Sequence, residues 1–157
     1  MRVRLLIANR GEIAVRIARA CRDLGISPVA VFSDADRAAL HVRLSDHAVG
    51  IGPAPARESY LVPEKLIDAA KRIGASLVHP GFGFLAENAA FARAVRDAGL
   101  VWVGPDPESI AAMGSKTESR ARMQAAGVPI VPGMTAPAKD PAEIAAFGRE
   151  HGFPLLL

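Results

Sequence analysis

The sequence predicts an α/β fold whose parallel β-sheet is covered by helices on both faces. Over roughly the first 105 residues, short apolar runs alternate with helical patterns. The connections between these segments are short, which is typical of parallel strands joined by helices. The first run, VRLLIA at residues 3–8, is almost continuously apolar, as expected for a strand that is buried on both faces. These observations together indicate a doubly wound sheet.

Each predicted element has its own local signal. Apolar runs predict strands at 3–8, 28–32, 48–52, 76–80 and 100–104. The first helix is predicted from about Glu12 to Leu24 and ends before Gly25. Its apolar stripe contains Ile13, Ile17, Cys21 and Leu24. The further helical segments lie at 33–40, where a polar turn leads into a short helix, and at 62–74 and 87–99.

The pattern changes after residue 105, which indicates a second domain. Two short helices are predicted at 107–113 and 117–126, followed by a short strand in GVPIVPG, residues 127–133. A further helix is predicted at 140–152, with Asp140 as its N-cap. The last segment, FPLLL at 153–157, reads as an apolar strand. Because that strand would leave an unpaired hydrophobic edge, we expect the sequence to stop inside the second domain.

Composition and charge narrow the function classes. The 157 residues carry a formal net charge of +3 without any block of like charge, and aromatic residues make up 5%. Scattered basic residues without aromatic stacking platforms argue against nucleic-acid binding. No apolar stretch reaches the length of a membrane span or resembles a secretion signal. Cys21 is the only cysteine, which fits a reducing cytosol. Together these observations predict a soluble cytoplasmic protein without nucleic-acid or membrane partners.

The turn between the first strand and the first helix, NRGE at 9–12, does not match the common phosphate-binding turns. A dinucleotide-binding turn needs G-x-G-x-x-G, and this one has a single glycine, Gly11. GSKT at 114–117 does not complete the P-loop pattern either. The simplest interpretation of residues 9–12 is a helix start, in which Glu12 complements the helix dipole and pairs with Arg16.

A second unusual stretch, HPGFGFLAEN at 79–88, follows a predicted strand and precedes a helix. Loops at the carboxyl ends of parallel strands are where such folds bind ligands, and glycines let the backbone lie close to one. The alternative is a turn in which Phe82 and Phe84 only cover the core. The residues of this stretch alone leave both interpretations open.

Several separated motifs resemble those of biotin carboxylases. IANRGEIAVRI, HPGFGFLAEN, WVGP, MGSKTESR and AGVPIVPG occur in the family's order, with similar intervals, over essentially the whole chain. The resemblance implies a biotin carboxylase N-terminal domain, a Rossmann-like pre-ATP-grasp fold, at 1–112 and the incomplete start of an ATP-grasp domain at 113–157. It further implies ATP and bicarbonate as substrates, with the carboxyl group passing to N1 of biotin on a carrier domain.

Little of the family's catalytic equipment falls within these residues. Lys116 matches the lysine that contacts ATP phosphate, although the residues alone would allow an ordinary exposed lysine between two helices. The family's Mg²⁺-binding glutamates, bicarbonate site and biotin-contacting arginine lie further along, so no catalytic or metal-ligating residue is assigned here. Phe82 replaces a tyrosine that is common in the family, and Ala86 replaces a serine. The four histidines show no metal-ligand spacing.

The resemblance also implies partners. These are the remainder of the biotin carboxylase, a biotin carboxyl carrier domain and a carboxyltransferase for acetyl-CoA, propionyl-CoA, methylcrotonyl-CoA or pyruvate. Arg16, Arg19 and Asp23 share one face of the first helix, which is either a homodimer contact or a solvated surface. As the N-terminal part of a biotin carboxylase, the chain is expected to be inactive on its own. The alternative is a noncatalytic α/β module that docks onto a separate ATP-grasp domain.

Overall fold

A computed structural model of the chain describes residues 2–134 and 136–156. The chain divides into two compact units, Met1–Ile110 and Ala111–Leu157. No helix among the described residues combines the length and the apolar character needed to cross a lipid bilayer.

The first unit contains alternating strands and helices, as predicted. The strands are β1 (Arg4–Ile7), β2 (Ser27–Ser33), β3 (His47–Gly52), β4 (Leu77–His79) and β5 (Val101–Trp102). The helices are α1 (Gly11–Asp23), α2 (Leu40–Arg43), α3 (Pro63–Ile73), α4 (Ala89–Asp97) and α5 (Pro107–Met113), of which α5 ends just beyond this unit. Short 3₁₀ turns lie at Asp34–Asp36 and Ala56–Glu58.

The strands form one five-stranded sheet in the order β3-β2-β1-β4-β5, and every pair is parallel. The register pairs Leu6 of β1 with Val29 of β2 on one side and with Val78 of β4 on the other. β1 is therefore the central strand, which explains its apolar sequence.

Helices cover both faces of this sheet because side chains alternate along each strand. Leu5 and Ile7 of β1 pack with Ala14, Ile17 and Cys21 of α1 in one core cluster. Leu6 belongs to a second cluster, which also contains buried residues of α3 and α4. The doubly wound α/β fold is thus confirmed.

One residue of the predicted α1 stripe is placed differently. Ile17 and Cys21 are buried, but Leu24 is 75% exposed. The helix ends at Asp23, and Leu24 is the capping residue just before the left-handed Gly25. Its side chain therefore leaves the helix face that packs on the sheet, and the predicted end of the helix at Leu24 is wrong by one residue.

The second unit contains α6 (Lys116–Ala125) and α7 (Pro141–His151). The predicted cap is confirmed, since the Asp140 side chain accepts a hydrogen bond of 2.9 Å from the Glu143 amide. The strand predicted at 127–133 is not formed, and residues 153–156 are not a strand either. A strand needs a hydrogen-bonded neighbour, and the described residues of this unit contain none. Leu157, the last residue of that prediction, lies outside the described residues.

Candidate functional site

The candidate site lies at the carboxyl edge of the sheet, where the strand order reverses. From β1 the order runs through β2 to β3 on one side and through β4 to β5 on the other. The connections that leave β1 and β4 therefore diverge and open a crevice between them. In doubly wound proteins this switch point is the usual place for ligand binding. Here it is formed by the turn after β1 and by the predicted loop 79–88.

Asn9 joins these two connections. Its side chain is buried, and its amide nitrogen donates hydrogen bonds to the carbonyl oxygens of Pro80 at 2.8 Å and Phe82 at 2.9 Å. Its Oδ1 accepts a bond of 2.9 Å from the amide of Arg10. The donors and the acceptor of the side chain are all used, which a buried amide requires. Asn9 thus fixes the distance between the two loops.

Gly81 is shaped to this contact. Its φ is +72°, in the left-handed region, and its amide donates to Nδ1 of His79 at 2.9 Å. A Cβ at this position would lie 2.8 Å from Nδ2 of Asn9. Any side chain would therefore push the Asn9 amide away from its acceptors. Burial lowers the pKa of His79, which favours the neutral ring that accepts this bond.

Arg10 reaches across the same edge. Its Nη1 lies 3.2 Å from Oδ2 of Asp36, which follows β2. Its guanidinium carbon lies 5.3 Å from the ring centre of Tyr60 and 5.6 Å from that of Phe84. The two rings are stacked, with centres 5.2 Å apart and an interplanar angle of 9°. Arg10 therefore makes an ion pair and cation–π contacts at once.

Asp36 and Tyr60 form a charge-assisted pair beneath Arg10. The buried Tyr60 hydroxyl donates to Oδ2 of Asp36 at 2.7 Å and accepts from the amide of Ser33 at 3.0 Å. Burial, followed by the bond to Asp36, raises the pKa of Tyr60 to about 12. Burial alone would raise the pKa of Asp36, but hydrogen bonds from Tyr60, Ser33 and Arg10 lower it overall. The pair is thus a neutral phenol beside an ionised carboxylate at neutral pH.

The two phenylalanines of the loop have different roles. Phe84 packs against the core although its φ of 46° is positive, whereas Phe82 is 78% exposed. The interpretation that both rings only cover the core is therefore wrong for Phe82, because that side chain is largely exposed and lines the cleft beside the turn after β1. The loop ends at α4, where the Asn88 side chain caps the helix by accepting from the Phe91 amide at 2.9 Å.

A cleft of about 350 Å³ lies beside these residues, lined by the turn after β1, Asp36, His41, Phe82 and Phe84. His41 is buried, and its Nε2 lies 3.2 Å from the carbonyl oxygen of Val31. Because a carbonyl only accepts, Nε2 is the donor in this contact. Nδ1 has no hydrogen-bond partner among residues 2–134 and 136–156. The cleft is thus bordered by fixed polar groups and by aromatic rings.

Lys116 lies in the second unit. It is the first residue of α6, exposed, and it follows the N-cap Ser115, whose Oγ accepts from the Glu118 amide at 3.3 Å. Thr117 lies in the wall of an apolar groove of about 650 Å³ that also includes Phe147 and Leu155. An exposed ammonium group at the start of a helix is available to an anionic ligand.

The sequence patterns predicted a helix start at residues 9–12 but not the contacts of Asn9 and Arg10. The helix start is confirmed, since α1 begins at Gly11 with Glu12 in its first turn. The expected pair of Glu12 and Arg16 is not among the ion pairs of the described chain. A signal was available: Asn9 is a polar residue directly after an apolar strand, where a buried amide must find distant partners.

The described residues, 2–134 and 136–156, contain no group of three or more His, Cys, Asp or Glu side chains that could hold a metal ion. A Mg²⁺ ion therefore does not fit a site made by these residues alone. No chemical step is assigned to a metal within this part of the chain.

Comparisons with known proteins agree on one family. Residues 1–110 match the family described as biotin carboxylase, N-terminal domain. The chain is 51% identical over 155 residues to a biotin carboxylase from Pseudomonas aeruginosa, covering 98% of this chain and 34% of that protein. It is 50% identical over 154 residues to a biotin-dependent acyl-coenzyme A carboxylase alpha3 subunit from Mycobacterium leprae, covering 98% of this chain and 26% of that one. It thus spans about a third or less of these relatives.

A solved structure agrees with the sequence relatives. The biotin carboxylase domain dimer of Hydrogenobacter thermophilus 2-oxoglutarate carboxylase, in complex with MgADP, ADP and bicarbonate, has a TM-score of 0.86 and 44% identity to this chain. The likeness covers 98% of this chain and 34% of that one. The resemblance predicted from the motifs is confirmed, and the chain belongs to the biotin carboxylase family.

Proposed function

We propose that this chain is the N-terminal part of an ATP-dependent biotin carboxylase, a ligase. The complete enzyme uses ATP and bicarbonate to form carboxyphosphate and transfers the carboxyl group to N1 of biotin on a carrier domain. The family match over residues 1–110 carries the proposal. The carboxyl-edge geometry supports it, because a hydrogen bond of Asn9 joins two of the motifs that resemble the family, IANRGEIAVRI and HPGFGFLAEN.

Within this function, Lys116 is the ATP-contacting residue of the chain. Its ammonium group would donate a charge-assisted hydrogen bond to a phosphate oxygen of ATP. Residues 113–157 form the beginning of the ATP-grasp domain, and 1–112 the domain that precedes it. The exposed position of Lys116 at the start of α6 supports this role.

The other components of the reaction come from the rest of the enzyme. Mg²⁺ is held by residues outside this chain, and biotin arrives as a substrate bound to its carrier domain. A carboxyltransferase then uses the carboxylated biotin to carboxylate acetyl-CoA, propionyl-CoA, methylcrotonyl-CoA or pyruvate. We place the complete enzyme in the cytoplasm, which the single cysteine supports. We also propose a homodimer, supported by the dimer named for the Hydrogenobacter relative.

Expression of the complete reading frame that contains this chain tests the proposal. We expect ATP hydrolysis that depends on both bicarbonate and free biotin, and none above background from the 157-residue chain alone. A complete protein that hydrolyses no ATP in the presence of bicarbonate, Mg²⁺ and biotin would contradict the proposal. A reading frame that stops at residue 157 would instead favour the noncatalytic docking module.

A further inference from the structure

Arg10 is the point at which the loops of four neighbouring strands meet. Arg10 itself follows β1, Asp36 follows β2, Tyr60 follows β3 and Phe84 follows β4. These partners are separated from Arg10 by 26 to 74 positions in the sequence. One guanidinium therefore links the carboxyl ends of four strands.

The partners differ in how firmly they are held without Arg10. Tyr60 is completely buried and has hydrogen bonds to Asp36 and to the Ser33 amide. Phe84 has a positive φ of 46°, which is costly for a bulky residue, and stacks on the Tyr60 ring. Because Phe84 is the strained partner, we expect loss of the contact with Arg10 to destabilise the segment around Phe84 more than the surroundings of Tyr60.

The strained segment is the Gly81–Phe84 turn, which presents Phe82. Three of its residues have positive φ values: 72° at Gly81, 70° at Gly83 and 46° at Phe84. Asn9 holds the start of the turn through Pro80 and Phe82, and the Tyr60–Phe84 stack with Arg10 holds its end. The backbone that carries the exposed Phe82 ring is thus held on both sides of that residue.

We propose that Arg10 is a positioning residue. Arg10 is held by Asp36 and contacts Phe84, and it thereby fixes the Gly81–Phe84 turn and the place of Phe82 at the carboxyl edge of the sheet. This inference rests on the proposed function and adds one element to it, that the cleft beside the turn receives a non-nucleotide substrate of the carboxylation, since the turn after β1 lacks the glycine pattern of a dinucleotide-binding turn. Arg10 touches no reacting atom in this view. Lysine cannot replace it fully, because an ammonium group keeps the ion pair but not the planar stacking.

Arg37 offers a matched control. Its Nη2 lies 3.2 Å from Oδ1 of Asp34, and its guanidinium carbon lies 5.3 Å from the ring centre of Phe32. The contact types are the same as those of Arg10, but none of them involves the Gly81–Phe84 turn. Arg37→Met therefore removes one ion pair and one cation–π contact of the same types at residues outside the turn.

Amide hydrogen exchange on the 157-residue chain tests the positioning. Gly81 and Ala86 donate hydrogen bonds within the loop, to His79 Nδ1 and to the Gly83 carbonyl, each at 2.9 Å. We expect Arg10→Met to speed exchange at these amides at least tenfold, and Arg10→Lys to speed it less. The amides of Leu6 and Val31 should keep their rates in Arg10→Met, and the amides of Gly81 and Ala86 should keep theirs in Arg37→Met. Unchanged exchange at Gly81 and Ala86 in Arg10→Met would overturn the proposal.

Kinetics of the complete enzyme provide the second readout. We expect Arg10→Lys to lower kcat/KM for free biotin at least fivefold, while KM for ATP stays within twofold and Arg37→Met has no effect. If exchange in the turn becomes faster but the biotin kinetics stay unchanged, the role in substrate positioning is refuted. If the unaltered enzyme has no biotin-dependent activity, the proposed function fails, while the exchange result still decides whether Arg10 fixes the turn.

Discussion

The contact between Gly81 and Asn9 can be tested with one pair of alanine variants. Gly81 and Gly83 have nearly the same φ, +72° and +70°. A Cβ at Gly81 would lie 2.8 Å from Asn9 Nδ2, whereas a Cβ at Gly83 would meet no heavy atom within 4 Å. The two substitutions therefore share the cost of a left-handed alanine and differ in the collision. Gly83→Ala is the internal control for Gly81→Ala.

The expected magnitudes follow from these geometries. A left-handed non-glycine residue costs roughly 1 to 2 kcal/mol, which applies to both variants. At Gly81 the Asn9 amide must also leave its acceptors, and an unsatisfied buried polar group costs about 1 to 3 kcal/mol. We therefore expect Gly81→Ala to lower the free energy of unfolding by about 1 to 3 kcal/mol more than Gly83→Ala does.

Urea unfolding followed by Trp102 fluorescence measures this difference. Trp102 is the only tryptophan, and it is buried in the first unit with its ring centre 5.5 Å from that of Phe91. The slope of the unfolding free energy against urea should be equal in both variants, so that the midpoints are comparable. A difference below about 0.5 kcal/mol, the usual limit of additivity, would refute the view that Asn9 needs a bare backbone at Gly81.

In the complete enzyme, Lys116→Ala should weaken ATP binding by about tenfold or more, since a charge-assisted hydrogen bond contributes about 1.5 to 3 kcal/mol. Calorimetry measures this affinity, with Lys139→Ala as the control variant. An unchanged ATP affinity in Lys116→Ala would remove Lys116 from the site. The raised pKa of Tyr60, about 12 against an ordinary 10.0, stabilises the fold below pH 10, and this contribution is lost as the pH rises from about 10 to about 12. Ultraviolet titration of this sole tyrosine should show a lower pKa in Asp36→Asn, and an equal pKa in both proteins would contradict the hydrogen bond between them. For the proposed homodimer, Arg16→Glu should shift the complete enzyme toward monomers in sedimentation, and identical sedimentation would leave the outer face of α1 as ordinary solvated surface.

The strands of the first unit were predictable because their signal is local. Each apolar run of the sequence corresponds to a strand whose ends differ by no more than two residues from the prediction. The alternation of Leu5 and Leu6 between two core clusters follows directly from the pleat of β1. The sequence signals of these features therefore lie in short windows of neighbouring residues.

The second unit shows where local signals fail. GVPIVPG has the apolar content of a strand, but Pro129 and Pro132 have no amide proton to donate to a ladder. Residues 153–156 include Phe153 and Leu156, which are 68% and 102% exposed. An apolar segment becomes a strand only when another strand pairs with it, and this requirement is invisible in a short window of sequence.

The contacts of Arg10 were out of reach for a related reason. Arg10 and Asp36 are 26 residues apart, and Tyr60 is a further 24 residues along the chain. Their meeting depends on β1, β2 and β3 being adjacent, and no residue pattern specified that order. The sequence could therefore mark the edge of the sheet as the candidate site but not the side chains that join its loops.

The same contacts explain what the turn after β1 can and cannot do. A dinucleotide-binding turn keeps glycines there so that a phosphate can approach the backbone. In this chain, the Asn9 side chain instead donates hydrogen bonds to the carbonyl oxygens of the neighbouring loop. Arg10 is likewise engaged with Asp36 and the two stacked rings. The side chains of Asn9 and Arg10 at this switch point are therefore engaged with the neighbouring loop and rings, and the turn after β1 lacks the glycine pattern with which a dinucleotide-binding turn receives phosphate.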